Sequence, residues 1–382
     1  MNRKFLPRLV FAACCACIGT ASAQATLTFG QIASSTHPSA RTNAIGLTTG
    51  INVYFDSVNA QGGVNGRKLM LATKDDGLDA KKMVEMTNDF LADKQIAGLV
   101  GYQNTGGLTA LVKSDVIGKG GIAMIAPLQG NKEIIEAPNF FPFRSGYADE
   151  VEALIKEANS TQKQKIAILS YNVSFGPSAV KVAEEMARKY ALPLGGSTVL
   201  TSAASDKSDA ALKEAIDKIA ASGADSVFVA AAGRGIIDIV KLFRTSAAKN
   251  IQIYTMSVAL AEDLVKGVGP EMARGVVISQ AVPFPFSATL PVVREYQKLM
   301  KQYAPEQGLS FSSLEGFIGA KIAVEAVRRA GKEPTREKIV DALQNFGSYD
   351  LGGVGVNYGK ASRQGWNSVD LTIIGANGKL LR

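Results

Sequence analysis

The chain has 382 residues, with 42 basic against 34 acidic side chains, a formal charge of +8, one histidine and one tryptophan. That length exceeds what one core usually holds, at about 100 to 200 residues per domain, so two domains are expected. The positive charges are interspersed with acids along helix faces such as 206–218, and no basic stripe with interleaved aromatics occurs, which argues against a nucleic-acid partner.

In chain order, Arg3, Lys4 and Arg8 precede an apolar run over 9–18 and the small residues Ala21-Ser22-Ala23, which together read as a removable export segment. Cleavage is expected after Ala23; a cut after Ala25 fits the same pattern. A lipid anchor on Cys14 is the competing reading, but Phe11 suits it poorly and it would truncate the apolar run. Cys14, Cys15 and Cys17 all lie in this segment, so the processed chain would hold neither a disulfide nor a thiolate site. It would keep 39 basic against 34 acidic residues, and no later run reaches the roughly 18 apolar residues of a membrane-spanning helix.

A strand is expected over 27–32 and a helix over 44–60, where Ala44, Leu47, Ile51, Tyr54 and Val58 share one face. Gly62-Gly63 ends that helix. A strand over 68–74, the Asp75-Asp76-Gly77 turn and a helix over 79–93 capped by Asp79 follow. Then come a strand (97–101), a helix (106–119) and a strand (122–126). After Phe143-Arg144-Ser145 the alternation repeats: helices 147–159, 177–190, 208–222 and 234–248 alternate with strands 165–170, 196–201, 225–230 and 251–255. Further on, a strand over 275–280, helices over 289–303, 312–330 and 335–345, and strands near 353–357 and 367–375 are expected. Such alternation builds parallel sheets from βα units.

The inventory for catalysis is thin. His37 is the only histidine, and no G-x-S-x-G elbow occurs. Gly378-Lys379 lacks the earlier glycine of a phosphate loop, and Gly353-x-Gly355 lacks the third glycine of a dinucleotide loop. Asp75-Asp76-Gly77-Leu78-Asp79 has Met86 where a calcium loop needs its bidentate carboxylate. No enzyme, cofactor or metal site is expected.

The run Val58-Asn59-Ala60-Gln61-Gly62-Gly63-Val64-Asn65-Gly66-Arg67, followed by Leu69, Leu71 and Asp75-Asp76, resembles the first lobe of the branched-chain amino-acid-binding protein family, the type I periplasmic solute receptors of ABC importers. Ala97-Gly98-Leu99-Val100-Gly101, IAMIAP over 122–127, KIAILS over 165–170 and Ser313-Leu314-Glu315-Gly316-Phe317 add to the likeness. The resemblance implies an α/β fold of two doubly wound parallel-sheet lobes joined by three hinge crossings, near 143–146, 280–284 and 357–365. It divides the chain into a signal (1–23), lobe one (24–143 plus 284–357) and lobe two (144–283 plus 358–382). It also implies a monomeric periplasmic protein that captures a small organic molecule by lobe closure and hands it to a membrane permease served by ATPase subunits. A sensory receptor on the same fold, signalling to a partner protein, is the alternative.

Ligands of such a fold meet loops at the carboxyl ends of strands, where helix N-termini face an anionic group. Those loops are 33–41, 102–107 and 128–131 in lobe one, and 171–176, 231–235 and 256–258 in lobe two. The resemblance implies that Thr105 is the hydroxyl holding a ligand carboxylate and that Leu128 offers its backbone. Gly130 stands where the amino-acid binders have a second hydroxyl, and Phe175 where an aromatic covers the ligand. Ala232, beside Gly233, replaces another aromatic, and Ser257 lies at or beside the acid that pairs with an α-ammonium. Ser35 and His37 in the first loop, and Gln103, Asn104 and Gln129, are further candidate contacts. Without the acid, a buried ammonium would cost several kcal/mol. A carboxylate lacking the amino group or an amide is therefore favoured over a branched-chain amino acid.

Overall fold

The computed structural model describes residues 26–171, 175–200, 208–361 and 363–382. The expected export segment, the middle of the 171–176 loop and the end of the strand expected over 196–201 lie outside them.

Lobe one opens with β1 (Thr26–Ala33), α1 (Arg41–Ala60), β2 (Lys68–Asp75), α2 (Ala80–Ala92), β3 (Ile96–Val100), α3 (Thr105–Lys113), α4 (Val116–Lys119), β4 (Met124–Ile125), α5 (Lys132–Ile135) and β5 (Phe140–Phe141). Lobe two follows with α6 (Tyr147–Ser160), β6 (Ile166–Tyr171), α7 (Gly176–Lys189), β7 (Leu194–Leu200), α8 (Ser208–Ala221), β8 (Ser226–Ala230), α9 (Arg234–Thr245), β9 (Gln252–Thr255), α10 (Ala261–Ala273) and β10 (Val277–Gln280). The chain then forms α11 (Pro291–Tyr303), α12 (Phe311–Ala330), α13 (Arg336–Gln344), β11 (Gly347–Asp350), β12 (Gly355–Tyr358), β13 (Arg363–Gln364), β14 (Asp370–Ile374) and β15 (Leu380–Leu381).

Five parallel strands in the order β2-β1-β3-β4-β5 make the first sheet, and β15-β14-β10-β9-β8-β6-β7 make the second. In the second, β6 to β10 are parallel while β14 and β15 add an antiparallel edge. Each parallel set therefore reverses direction beside its first strand, and the crevice at that switch point lies at the carboxyl ends of the strands. Strands β11, β12 and β13 form a small antiparallel sheet.

Several elements differ from expectation for local reasons. The helix expected over 106–119 is two helices, because Asp115 adopts φ 52° between α3 and α4. Only Met124 and Ile125 of the strand expected over 122–126 pair as one. Helix α10 was not expected: its Gly267, Gly269 and Pro270 hide the periodicity, and Gly269 breaks the helical path at φ 81°. Asn357, expected in a free crossing strand, pairs with Ser348 inside the small sheet. Asp79 caps α2 as its sequence position suggests, accepting from the Lys81 and Lys82 N–H groups.

The core of lobe one closes around α12, whose flank is pressed against α1. A Cβ on Gly50 would lie 1.9 Å from the Ser313 carbonyl oxygen, and one on Gly316 2.2 Å from that of Leu47. Tyr54 and Phe317 then meet edge to face, centroids 4.9 Å apart. Among the described residues no helix is long and apolar enough to cross a membrane.

Three chain segments run side by side between the lobes. Ser145 donates its N–H to the Ala281 carbonyl at 3.3 Å and its hydroxyl toward the Trp366 and Ser368 carbonyls at 3.0 and 2.9 Å, while the Trp366 N–H reaches the Phe143 carbonyl. Beside them Arg144, 4% exposed, lies between Glu150 of α6 and Glu315 of α12, its nitrogens 3.5 Å from each carboxylate. Glu150 is further held by the Ser279 hydroxyl at 2.6 Å and the Ser257 N–H at 2.9 Å. Glu315 Oε1 and Arg144 Nε have no partner among the described residues. Two buried carboxylates thus share one guanidinium, which leaves one negative charge in excess.

Burial pushes the Glu315 carboxyl up to about 7; Arg144 opposes this and Glu150 adds to it. Because the folded state then holds a proton that the unfolded state releases near its ordinary value of 4.5, stability falls as pH rises through the window from about 4.5 to 7. The cost, on the order of 3 kcal/mol, is fully present above that window. Thermal melts across pH are expected to show this slope in the native protein and to lose it in E315Q, which should melt higher above neutrality; a slope unchanged in E315Q would place the proton elsewhere. For the α1–α12 contact, G316A is expected to destabilise by about 2 kcal/mol or more, read as a lower urea midpoint at unchanged slope.

Candidate functional site

The loops leaving the carboxyl ends of both sheets face one another, and in lobe one they are tied down by side chains. Ser34 and Ser35 donate to Asp76 and Asp75, each at 2.6 Å, and the Thr36 N–H reaches Asp75 at 2.9 Å. His37 Nδ1 accepts the Ser39 N–H at 3.2 Å, which fixes that nitrogen as the unprotonated one in the neutral ring. Gln103 donates to the Ala40 carbonyl at 3.3 Å. Asn104, at φ 80°, caps α3 with its oxygen on the Gly107 N–H and donates its amide to Asp76 at 2.8 Å. The polar groups of Ser35 and Asn104 are therefore committed to the loop framework.

Thr105 is the first residue of α3. Its Oγ1 accepts from Gln129 Nε2 at 2.9 Å, and Gln129, with no exposure, is locked in turn by its oxygen on the Asn131 N–H at 2.9 Å. Since Gln129 already occupies Thr105 Oγ1 as an acceptor, the Thr105 proton is left to donate. The Thr105 and Gly106 N–H groups, at the positive end of the helix, likewise have no acceptor among the described residues. One hydroxyl and two N–H groups at the start of α3 are thus left as unspent donors, a set chemically suited to an anion. The Leu128 N–H is spent on the Tyr102 carbonyl at 2.8 Å, which leaves its carbonyl as the backbone group it can offer.

Gly130 has a steric reason. A Cβ there would lie 2.5 Å from the Tyr147 ring, and the Tyr147 N–H donates to the Gly130 carbonyl at 2.8 Å. Tyr147 in turn packs on Phe175 with centroids 6.0 Å apart at 50°. It fills the place where a second hydroxyl side chain would have projected. Burial raises the Tyr147 phenol to about 12, partly offset by Arg144, so it stays neutral.

The lobes touch across the cleft. Gly233, at φ 53°, comes so near Ser39 that a Cβ would lie 2.4 Å from the Ser39 Cα, and Thr42 of lobe one donates to Asp263 of lobe two at 3.0 Å. Ala232 accepts the Gly235 N–H at 3.2 Å and offers no ring. Ser257, half-buried, accepts a hydrogen bond from Arg144 while its N–H is held by Glu150. Glu150 is wholly buried and so does not stand in for the missing acid.

A separate groove of about 680 Å³ runs between α1, α10 and residues 307–310, lined by Arg41, Ile45, Glu262, Lys266, Phe286 and Leu309. Of the loops expected to meet a ligand, only the last residue of 33–41, Arg41, lines it. Among the described residues no cluster of three or more His, Cys, Asp or Glu side chains is placed to hold a metal. Sequence reasoning missed Arg144, Glu150 and Asp263 as cleft residues. Arg144 and Glu315 both stood in quoted motifs, but nothing in those motifs shows that they meet.

The model of the family described as "Periplasmic binding protein" matches residues 26–379. The chain is 27% identical to Leu/Ile/Val-binding protein homolog 2 of Brucella abortus (strain 2308) over 133 residues, 34% of this chain and 35% of that one. It is 30% identical to homolog 3 of Brucella melitensis biotype 1 over 235 residues, 60% of each. These matches span between about a third and three fifths of the curated relatives' length. The extracellular ligand-binding receptor from Verminephrobacter eiseniae ef01-2 superposes with a TM-score of 0.86 at 27% identity, covering 94% of this chain and all of that one. With two doubly wound lobes, a cleft built at their switch points and a family match across nearly every described residue, the chain belongs to the periplasmic binding protein family, a family of binders and not of catalysts.

Proposed function

We propose that this protein is the substrate-binding component of an ABC-type importer, exported to the periplasm as a monomer. It captures a small organic molecule in the interlobe cleft and delivers it, by lobe closure, to a membrane permease coupled to ATPase subunits. The observation that carries this reading is the Thr105 end of the cleft: a buried glutamine turns the hydroxyl outward as a donor at a helix N-terminus, an arrangement suited to a carboxylate. At the cleft mouth Gly233 closely approaches Ser39 and Thr42 donates to Asp263, contacts that hinge rotation of the lobes would part and rejoin.

The Brucella relatives are named for leucine, isoleucine and valine. This chain lacks the acid that an α-ammonium would need at Ser257, and the two carboxylates around it, Glu150 and Glu315, are both buried and shared with Arg144. The favoured ligand is a carboxylate without the amino group, or an amide.

Calorimetric titration with a panel of organic acids, amides and amino acids tests the proposal. At least one acid or amide is expected to bind at micromolar affinity or tighter, about 8 kcal/mol or more. T105A is expected to weaken a carboxylate by about 10- to 100-fold, the worth of one hydrogen bond to a charged group. Leucine or valine binding most tightly, or a T105A protein that binds acids as well as the native one, would overturn it.

A further inference from the structure

The lobe-two end of the cleft has a hydrogen-bond polarity that names the ligand class more closely, on the reading that Thr105 holds a carboxylate. An arginine side chain has only donors. Because Arg144 donates to Ser257 Oγ, the serine must present a lone pair to it, and its single proton is left for another acceptor. No described residue takes that proton. The Ser257 N–H is already spent on Glu150, and the Glu150 oxygens are engaged by Ser257, Ser279 and Arg144 with no exposure.

The surroundings add a size. Ser257 shares a cavity of about 10 Å³ with Leu128 of the opposite lobe, Arg144, Gln280, Ser312 and Glu315, the room of about one water-sized group. An ammonium placed beside Ser257 would face the guanidinium behind the hydroxyl, and the one carboxylate of that cavity, Glu315, is buried, already shared with Arg144 and pushed by burial toward its neutral form. An oxygen acceptor would complete the serine's hydrogen bonding. With Thr105 also turned outward as a donor, both ends of the site call for acceptors.

We infer that Arg144, acting through Ser257, is a specificity-positioning residue that makes the lobe-two end a donor, so that the captured carboxylate bears an oxygen acceptor where an α-amino acid bears its ammonium. The class is a 2-oxo acid, or an acid with a carbonyl held at the same place. Arg144 has no contact with the ligand in this account; it sets which way the serine proton points.

The test is calorimetry with matched triplets on branched, straight-chain and aromatic skeletons: the unsubstituted acid, its 2-oxo form and its 2-amino form. The native protein is expected to bind the 2-oxo acid of one skeleton about tenfold or more tighter than its unsubstituted and amino counterparts, the discrimination of one charge-backed hydrogen bond. In S257A the ratio between 2-oxo and unsubstituted acid is expected to collapse toward one, and S257D, which restores an acid, is expected to turn the ratio toward the amino form. A retained ratio in S257A, or a native preference for the amino form, would overturn the inference. Unsubstituted acids that bind in a Thr105-dependent way without any 2-oxo preference would overturn it while sparing the proposed function, whereas triplets that all fail to bind would overturn it together with the carboxylate reading of Thr105.

Discussion

One guanidinium shared by two carboxylates, all three withdrawn from water, sits where the two halves of this molecule are joined. Removing the guanidinium would leave both carboxylates buried and uncompensated, a loss that typically costs about 3–5 kcal/mol. The three groups come from the first crossing segment, from α6 of lobe two and from α12 of lobe one. The joint therefore holds only when all three elements are in register. The same group reaches into the cleft, since Arg144 and Glu150 between them hold the side chain and backbone of Ser257. The joint and the cleft wall at Ser257 are one connected hydrogen-bonded structure.

From that joint outward the architecture follows from strand order. In each lobe the first strand lies between the second and third, so the loops after β1 and β3, and after β6 and β8, open into a crevice. Helix α12 returns to lobe one after the chain has built lobe two, and it seats on α1 through Gly50 and Gly316, which bring the two backbones close enough to carry Glu315 to Arg144. Across the mouth of the cleft Gly233 closely approaches Ser39 and Thr42 donates to Asp263. A buried, multiply bonded joint behind a two-lobed cleft is the form that the proposed hinge closure requires.

How much of this was legible in the sequence depends on the range over which each feature is encoded. The alternating strands and helices, and the Asp79 cap, are local patterns and were read correctly. Helix α10 was not, because Gly267, Gly269 and Pro270 mask its period, and the break at Asp115 depends on a backbone angle that no apolar pattern reports. The two-residue strands β4 and β5 are too short to carry alternation. In the cleft, the place of Thr105 came from resemblance; the glutamine that orients it, the tyrosine that makes Gly130 necessary and the arginine behind Ser257 come from chain segments far apart in sequence. Such pairings are made by tertiary structure alone. The departures at Gly130 and Ser257 were visible beforehand, but their meaning required knowing what stands behind them.

On the proposed reading the cleft offers hydrogen-bond donors at both ends, at Thr105 and at Ser257. Mass spectrometry of the small molecules released when freshly purified protein is denatured tests that claim most directly. A stoichiometric organic acid with an oxygen acceptor beside its carboxylate, and with no α-ammonium, is the result predicted. A stoichiometric α-amino acid would contradict it.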